Sequence, residues 1–197
     1  ICKKQYPGAC LVVSFFSPSG YEVRKGFKGA DHVFYLPADS KKNAESFIQA
    51  INPSLVLWVK YEYWFYYLTT LKNKNIPVIL FSALFRPQQP FFMWYGALWK
   101  KMLGCFQQIF VQDNESKLLL QKIGIAATVS GDTRYDRVIA TAENFEPLPA
   151  VIERFCSAEN IMVAGSTWAE DEEELQHYIR LHPQNILLLP HTKPKTV

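Results

Sequence analysis

The sequence predicts an α/β fold: one Rossmann-like parallel-sheet domain followed by the opening βαβ part of a second. Three observations carry this. Short apolar runs alternate with amphipathic stretches through residues 10–129. A segment with two prolines, Thr141–Ala150, breaks that rhythm. The alternation then resumes and continues to residue 189. One βαβ unit cannot bury both faces of its sheet, so the second part reads as the start of a domain. The first domain is placed at 1–143 and is expected to lack its own first βα unit. The linker is placed at 144–150 and the incomplete second domain at 151–197.

Cys10–Phe15 is the first strand, and Ser17 and Pro18 suit the N-cap and first position of a helix. His32–Pro37 is the second strand. A helix from about Ser40 to Ile51 sets Ala44, Phe47, Ile48 and Ile51 on one face. Leu55–Val59 is a continuous apolar run, as in a strand covered on both faces. A helix from Glu62 to about Lys72 and a strand at Pro77–Phe81 follow. Residues 90–105 read as one longer amphipathic helix, with Phe91, Tyr95, Leu98, Trp99, Met102 and Phe106 near helical spacing. Ile109–Val111 is a strand. Asp113 or Asn114 then caps a helix that runs to Lys122 and ends at Gly124, and Ala127–Val129 is a short strand. The second part reads as a helix to Cys156, a strand at Ile161–Ala164, an acidic helix at about Ala169–Leu181 and a strand at Asn185–Leu189.

The composition, 49% hydrophobic and 20% charged, is that of a globular protein. No apolar run approaches the ~20 residues of a membrane-spanning helix. Residues 1–8 show no secretory leader pattern, and Ile1 reads as an interior residue of a longer chain. Net charge is unevenly spread. Residues 1–140 carry 17 Lys and Arg against 9 Asp and Glu, a net of +8, and residues 141–197 carry 4 against 9, a net of −5, together the +3 of the whole chain. A basic first part suits an anionic partner, whether nucleic acid, anionic lipid or a phosphorylated substrate. Cys2, Cys10, Cys105 and Cys156 form no CxxC pair and no zinc spacing, and read as buried reduced thiols. His32, His177, His182 and His191 show no paired metal spacing, and no Ser–His–Asp arrangement is visible.

In open parallel sheets ligands bind at the carboxyl ends of strands, which selects four segments. Ser14–Gly20 offers Ser17, Ser19 and Gly20 at a helix start, either a plain capped helix or an anion cradle. Lys60–Trp64 sets Glu62 among Tyr61, Tyr63 and Trp64. An apolar setting would raise the proton affinity of Glu62 and suit it to proton transfer; pairing with Lys60 or helix capping are the alternatives. Ala164–Trp168 offers Gly165, Ser166 and Thr167 at another helix start, before the acidic run Glu170–Glu174, which reads as a solvated helix face. Ser130–Arg137 carries Arg134 and Arg137, suited either to a bidentate anion contact or to pairing with Asp132 and Asp136. In residues 90–105, Trp94, Trp99, Lys100 and Lys101 fit either core packing or a membrane interface.

At these segments the chain resembles the bacterial 3-deoxy-D-manno-octulosonic acid (Kdo) transferases. Phe16–Glu22 (FSPSGYE) is similar to the segment after their second strand, Leu55–Trp64 (LVLWVKYEYW) to their Glu-Leu-Trp segment, and Gly131–Asp136 (GDTRYD) to their Gly-x-x-Lys-Phe-Asp motif. Ala164–Thr167 and Leu187–His191 are similar to the first βα turn and second strand of their donor domain. The resemblance is collinear over nearly the whole chain. It implies a GT-B fold, two Rossmann-like domains facing a cleft, and transfer of Kdo from CMP-Kdo to a lipid A precursor with inversion and without a bound metal or other cofactor. It implies partners in that lipid and an anionic membrane surface at the cytoplasmic face of the inner membrane. No nucleic acid and no protein partner is implied.

By position, Glu62 matches a family active-site Glu, with Ser17, Ser19, Gly20, Lys60 and Trp64 on the acceptor side. Arg134 matches the motif's Lys, and Gly165, Ser166 and Thr167 match the donor side. The family's general base, a Glu after its first strand, falls upstream of Ile1, as does its membrane anchor. Most of its donor pocket falls beyond Val197. The segment by itself is therefore expected to be inactive. Departures are Phe65 in place of a Pro, Ser82-Ala83-Leu84 in place of Asn-x-Arg, and His191-Thr192 in place of a basic pair.

Overall fold

A computed structural model of the chain describes residues 5–145, 147, 149–156 and 161–181, and the backbone of 185–190. Cys2, His182 and His191 lie outside the described residues. The chain divides into two compact units, Ile1–Ala140 and Thr141–Val197.

The first unit contains two parallel sheets. Strands β1 (Val12–Phe15) and β2 (His32–Tyr35) pair in register Val12↔His32 to Phe15↔Tyr35, with α1 (Pro18–Arg24) between them in sequence. Strands β3 (Val56–Val59), β4 (Val78–Ala83), β5 (Gln108–Val111) and β6 (Thr128–Val129) form the second sheet in sequential order. Parallel neighbours require crossovers, and the helices α3 (Phe65–Asn73), α4 (Ala97–Leu103) and α5 (Asn114–Lys122) supply them, whereas α2 (Lys41–Ile51) links β2 of the first sheet to β3 of the second.

The core lies between this sheet and its helices. Val78, Leu80, Ile109 and Val111 face Leu68, Leu71, Leu103 and Leu120, all buried. On α2, Ala44 and Ile48 are buried and Phe47 packs beside them, the face that periodicity selects. The caps are also local. Ser40 Oγ accepts from the Asn43 N–H (3.3 Å) at α2, and Asp113 Oδ1 accepts from the Ser116 N–H (2.7 Å) at α5.

Four expectations are corrected. Leu55–Val59 is covered on one face only: Val56 and Trp58 pack inward, whereas Leu57 and Val59 are 46% and 56% exposed. Strand β1 starts two residues later than expected, because Asp31 already holds Leu11, accepting its N–H at 2.6 Å and donating back to its carbonyl at 2.8 Å. Cys10, just before it, is exposed, whereas Cys105 is buried. Burial pushes the Cys105 thiol up in pKa, against the lowering influence of Lys72 and Lys101.

The fourth correction is the expected 90–105 helix, which is broken. A 3₁₀ turn at Pro90–Phe92 is followed by a tight turn, and α4 begins only at Ala97. The Met93 N–H donates to the Pro90 carbonyl at 3.2 Å and the Gly96 N–H to the Met93 carbonyl at 3.0 Å. A Cβ on Gly96 would sit 2.0 Å from the Pro90 carbonyl oxygen. Backbone cannot yield as a flexible side chain does. Gly96→Ala is therefore expected to destabilise the first unit by about 2–3 kcal/mol, read from the midpoint of denaturant unfolding.

In the second unit, β7 (Ile161–Thr167) pairs in parallel with β8 (Asn185–Pro190) across α8 (Ala169–Leu181). Helix α7 (Ala150–Cys156) precedes them, and α6 (Thr133–Glu143) begins in the first unit and ends in the second.

Candidate functional site at the strand ends

The loop after β3 is fixed from within. The Lys60 N–H donates to the Phe81 carbonyl at 3.0 Å, extending the sheet by one rung. Lys60 takes φ of 59°, a left-handed conformation that is unfavourable for a side-chain-bearing residue. The Trp58 indole N–H donates to the Glu62 carbonyl, closing the loop. Tyr63 turns inward among Phe85, Phe91 and Phe106, with centroids 6.4, 4.8 and 6.4 Å away. Burial of its phenol pushes its pKa well up.

Helix α3 starts at Phe65, not at Glu62, so Glu62 belongs to the loop. Its side chain is exposed rather than enclosed by the neighbouring aromatics. Capping of α3 comes from a distant residue. Asp39 accepts from the N–H groups of Tyr66 (3.1 Å) and Tyr67 (3.2 Å). The Tyr67 hydroxyl donates to the Pro37 carbonyl at 3.0 Å. Because Ser40 serves α2, Asp39 is left to serve α3. Asp39→Ala is expected to cost about 1 kcal/mol, seen as a lowered midpoint of thermal unfolding.

The loop after β1 meets the loop after β3. Phe16 packs on Trp64 with centroids 4.4 Å apart and rings 49° apart. Ser17 is the N-cap residue of α1 and Pro18 opens the helix, but the Ser17 hydroxyl makes no cap hydrogen bond. It lies 2.7 Å from the Ser19 hydroxyl instead. The Phe15 ring lies 3.1 Å from where a Gly20 Cβ would stand, so Gly20 gives the ring its place.

The loop after β6 approaches the same region electrostatically. The Arg134 Nε donates to Asp132 Oδ2 at 2.7 Å, and a second guanidinium nitrogen pairs with that oxygen. The Arg134 N–H donates to Asp132 Oδ1 at 3.0 Å. These bonds bring the Asp132 carboxyl down to about 2, and the Lys60 charge acts in the same direction. In the structure Arg134 makes the internal pair with Asp132. The first unit thus gathers Lys60, Glu62, Trp64, the Ser17–Gly20 segment and Arg134 at the carboxyl ends of its strands.

In the second unit the expected turn at Gly165–Thr167 is part of β7. The register passes from Gly165↔Leu189 to Thr167↔Pro190, leaving Ser166 as a bulge with φ of 62°. Thr167 is buried, and its hydroxyl donates to Glu172 at 3.0 Å. The Trp168 N–H donates to Asp171 at 2.9 Å. The acidic run therefore does more than line a solvated face: two of its carboxylates serve the start of α8.

Ser82 was not legible as a site residue. It is buried, takes φ of 53° and forms the irregularity at the end of β4, where Gln112 Nε2 donates to its carbonyl (2.9 Å) and hydroxyl (3.2 Å). Lys60, Ser82 and Ser166 thus each hold a left-handed backbone at the carboxyl end of a strand, and such strain concentrates where ligands bind. No glycine marked these positions. Two clefts of about 310 and 410 Å³ lie elsewhere, lined from α2, α3 and α4, and none of the expected site residues lines them. Among the described residues no group of three or more His, Cys, Asp or Glu could hold a metal ion. Among the same residues no helix is long and apolar enough to cross a membrane.

Parallel sheets with strand-end loops of this kind define a Rossmann-like α/β protein of the GT-B type. Solved structures with this fold include the UDP-N-acetylglucosamine 2-epimerase of Neisseria meningitidis bound to UDP-GlcNAc. It is 14% identical with a TM-score of 0.60, over 93% of this chain and 64% of that one. The enzyme of the same name from Rickettsia bellii is 13% identical with a TM-score of 0.55, over 90% and 53%. The sequence model of the 3-deoxy-D-manno-octulosonic-acid transferase (kdotransferase) family matches residues 1–137. The chain belongs to that family. A 3-deoxy-D-manno-octulosonic acid transferase of Haemophilus influenzae is 24% identical over 204 residues. The alignment takes in 98% of this chain and 47% of that relative, so the chain spans about half the relative's length.

Proposed function

We propose that the protein is a glycosyltransferase of lipopolysaccharide biosynthesis that moves Kdo from CMP-Kdo to a lipid A precursor at the cytoplasmic face of the inner membrane. The family match over residues 1–137 is the observation that carries this reading. The clustering of Lys60, Glu62, Trp64 and Arg134 at strand ends supports it.

The chemistry is an inverting displacement. The acceptor hydroxyl gives its proton to a carboxylate, its oxygen bonds to the anomeric carbon of Kdo, and the bond to the CMP phosphate breaks. In this reading Glu62 orients the acceptor hydroxyl or shares its proton. The Phe16–Trp64 pair offers an apolar platform beside Ser17, Ser19 and Gly20 on the acceptor side. Lys60 supplies charge for an acceptor phosphate, and Arg134 for the donor's carboxylate or phosphate. Gly165, Ser166 and Thr167 stand on the donor-phosphate side, with Thr167 oriented by Glu172. The reaction needs no metal.

A full-length protein carrying this chain should transfer labelled Kdo from CMP-Kdo to the lipid A precursor, and should leave UDP- and GDP-sugars unused. Transfer from a UDP- or GDP-sugar, with none from CMP-Kdo, would overturn the assignment.

A further inference from the structure

Two neighbouring strand ends carry left-handed residues side by side. Lys60 (φ 59°) follows β3, and Ser82 (φ 53°) lies near the end of β4. Val59 and Phe81 pair across these strands, so each left-handed residue is the next one along. One hydrogen bond joins the two ends: the Lys60 N–H donates to the Phe81 carbonyl at 3.0 Å. That carbonyl belongs to the peptide unit that ends on the Ser82 nitrogen. Its direction therefore depends on the backbone of Ser82.

A positive φ is unfavourable for serine. Such a conformation persists only where its surroundings over-determine it, and Ser82 is gripped from β5. Pairing passes from Leu80↔Ile109 to Ala83↔Val111, so β4 carries one residue more than β5 over that stretch. Gln112 closes this bulge. Its side-chain amide donates to both the carbonyl (2.9 Å) and the hydroxyl (3.2 Å) of Ser82, and its backbone N–H donates to the Ala83 carbonyl at 2.9 Å. Gln112 is itself anchored. The Val111 carbonyl before it accepts the Ser130 N–H at 2.9 Å, and Asp113 after it caps α5. A strained residue is thus held by a fixed one. The hold passes through the Phe81 carbonyl to Lys60, two residues before Glu62.

We propose that Gln112 is a positioning residue: by fixing the left-handed turn at Ser82 it sets the Phe81 carbonyl, and through it the Lys60–Trp64 loop that presents Glu62. Its effect on transfer rests on the reading of Glu62 given above, but the link between the loops can be measured without transfer. Gln112→Met keeps the length of the side chain and removes its donors. In a full-length protein carrying this chain, it should speed hydrogen exchange of the Lys60 amide by about tenfold. The Val56 amide, which donates to the Pro77 carbonyl at the other end of β3, should keep its rate. General destabilisation would speed both alike. Gln112→Asn, which keeps the amide but shortens its reach, should act in the same direction and is the gentler change to the fold. In the same protein Gln112→Met should lower transfer of Kdo by about tenfold to a hundredfold, in whichever of kcat and acceptor KM Glu62→Gln alters. In the Glu62→Gln background its further effect should shrink to about twofold or less, since the carboxylate it positions is gone. Unchanged exchange at Lys60, or equal acceleration at Val56, would overturn the positioning role. So would a full kinetic loss in the Glu62→Gln background. Selective acceleration at Lys60 in a protein that transfers no Kdo would support the link between the loops and sink the functional reading.

Discussion

Phe85→Ala is expected to destabilise the first unit by about 3–5 kcal/mol, the largest stability loss of the substitutions considered. The ring is fully buried and packs edge-on against Phe91 and Phe92, at 5.5 and 6.2 Å, and tilted against Tyr63. How much a truncation costs depends on whether the surroundings can close the cavity. Here the backbone is pinned on both sides by one buried side chain. Ser116 Oγ accepts from the Phe85 N–H at 2.9 Å and donates to the Phe85 carbonyl at 3.4 Å. Collapse is therefore limited, and the loss should fall in the upper part of the range. Phe85→Leu, which keeps most of the volume, should lose less than about 1.5 kcal/mol. Urea unfolding of both variants provides the check. Similar losses for the two would mean that the cavity, and with it the aromatic cluster, is not what the ring supports.

The cluster bears on the proposed function because it holds the candidate site loop. Tyr63 is the inward anchor of the loop carrying Lys60, Glu62 and Trp64, and it packs directly on Phe85 and Phe91. A core loss at Phe85 should therefore be felt at strand ends that it does not touch.

The alternation of apolar runs and amphipathic helices was enough to foresee parallel sheets and most helices. That pattern is local, and burial against a sheet enforces it. Of the two candidates for the α5 cap, Asp113 or Asn114, the structure uses Asp113, which bonds three residues ahead. What escaped were features set by distant partners or by sterics. Apolar spacing runs through both the 3₁₀ turn and α4, so periodicity alone joined them; Gly96 was the signal against a single helix. The cap of α3 comes from Asp39, across 27 residues from Tyr66, and no local pattern reports that. The left-handed conformations at Ser82 and Ser166 arise from register shifts between strands, so they become visible only once the strands are paired. The candidate site was readable as a set of strand-end segments. It was not legible as partnerships: Arg134 with Asp132, Thr167 with Glu172 and Phe16 with Trp64 each needed coordinates.

Those partnerships decide which substitution reports on chemistry. Arg134 and Thr167 are hydrogen-bonded within the protein, so their replacement would mix local structure with binding. Glu62 is exposed, its helix is capped by Asp39, and its loop is held by its own carbonyl rather than its carboxylate. Glu62→Gln should therefore leave the thermal midpoint nearly unchanged, since exposed substitutions of this kind stay within about 0.5 kcal/mol. In a full-length protein carrying this chain, the same change should lower transfer of Kdo by about 10²–10⁴-fold if the carboxylate handles the acceptor proton. A fall in kcat, with KM for the acceptor little altered, would assign Glu62 to the proton network. A rise in KM at constant kcat would assign it to acceptor positioning. Unchanged kcat and KM would remove Glu62 from the reaction. The proposed acceptor side would then rest on the Phe16–Trp64 platform, the Ser17–Gly20 segment and the Lys60 charge.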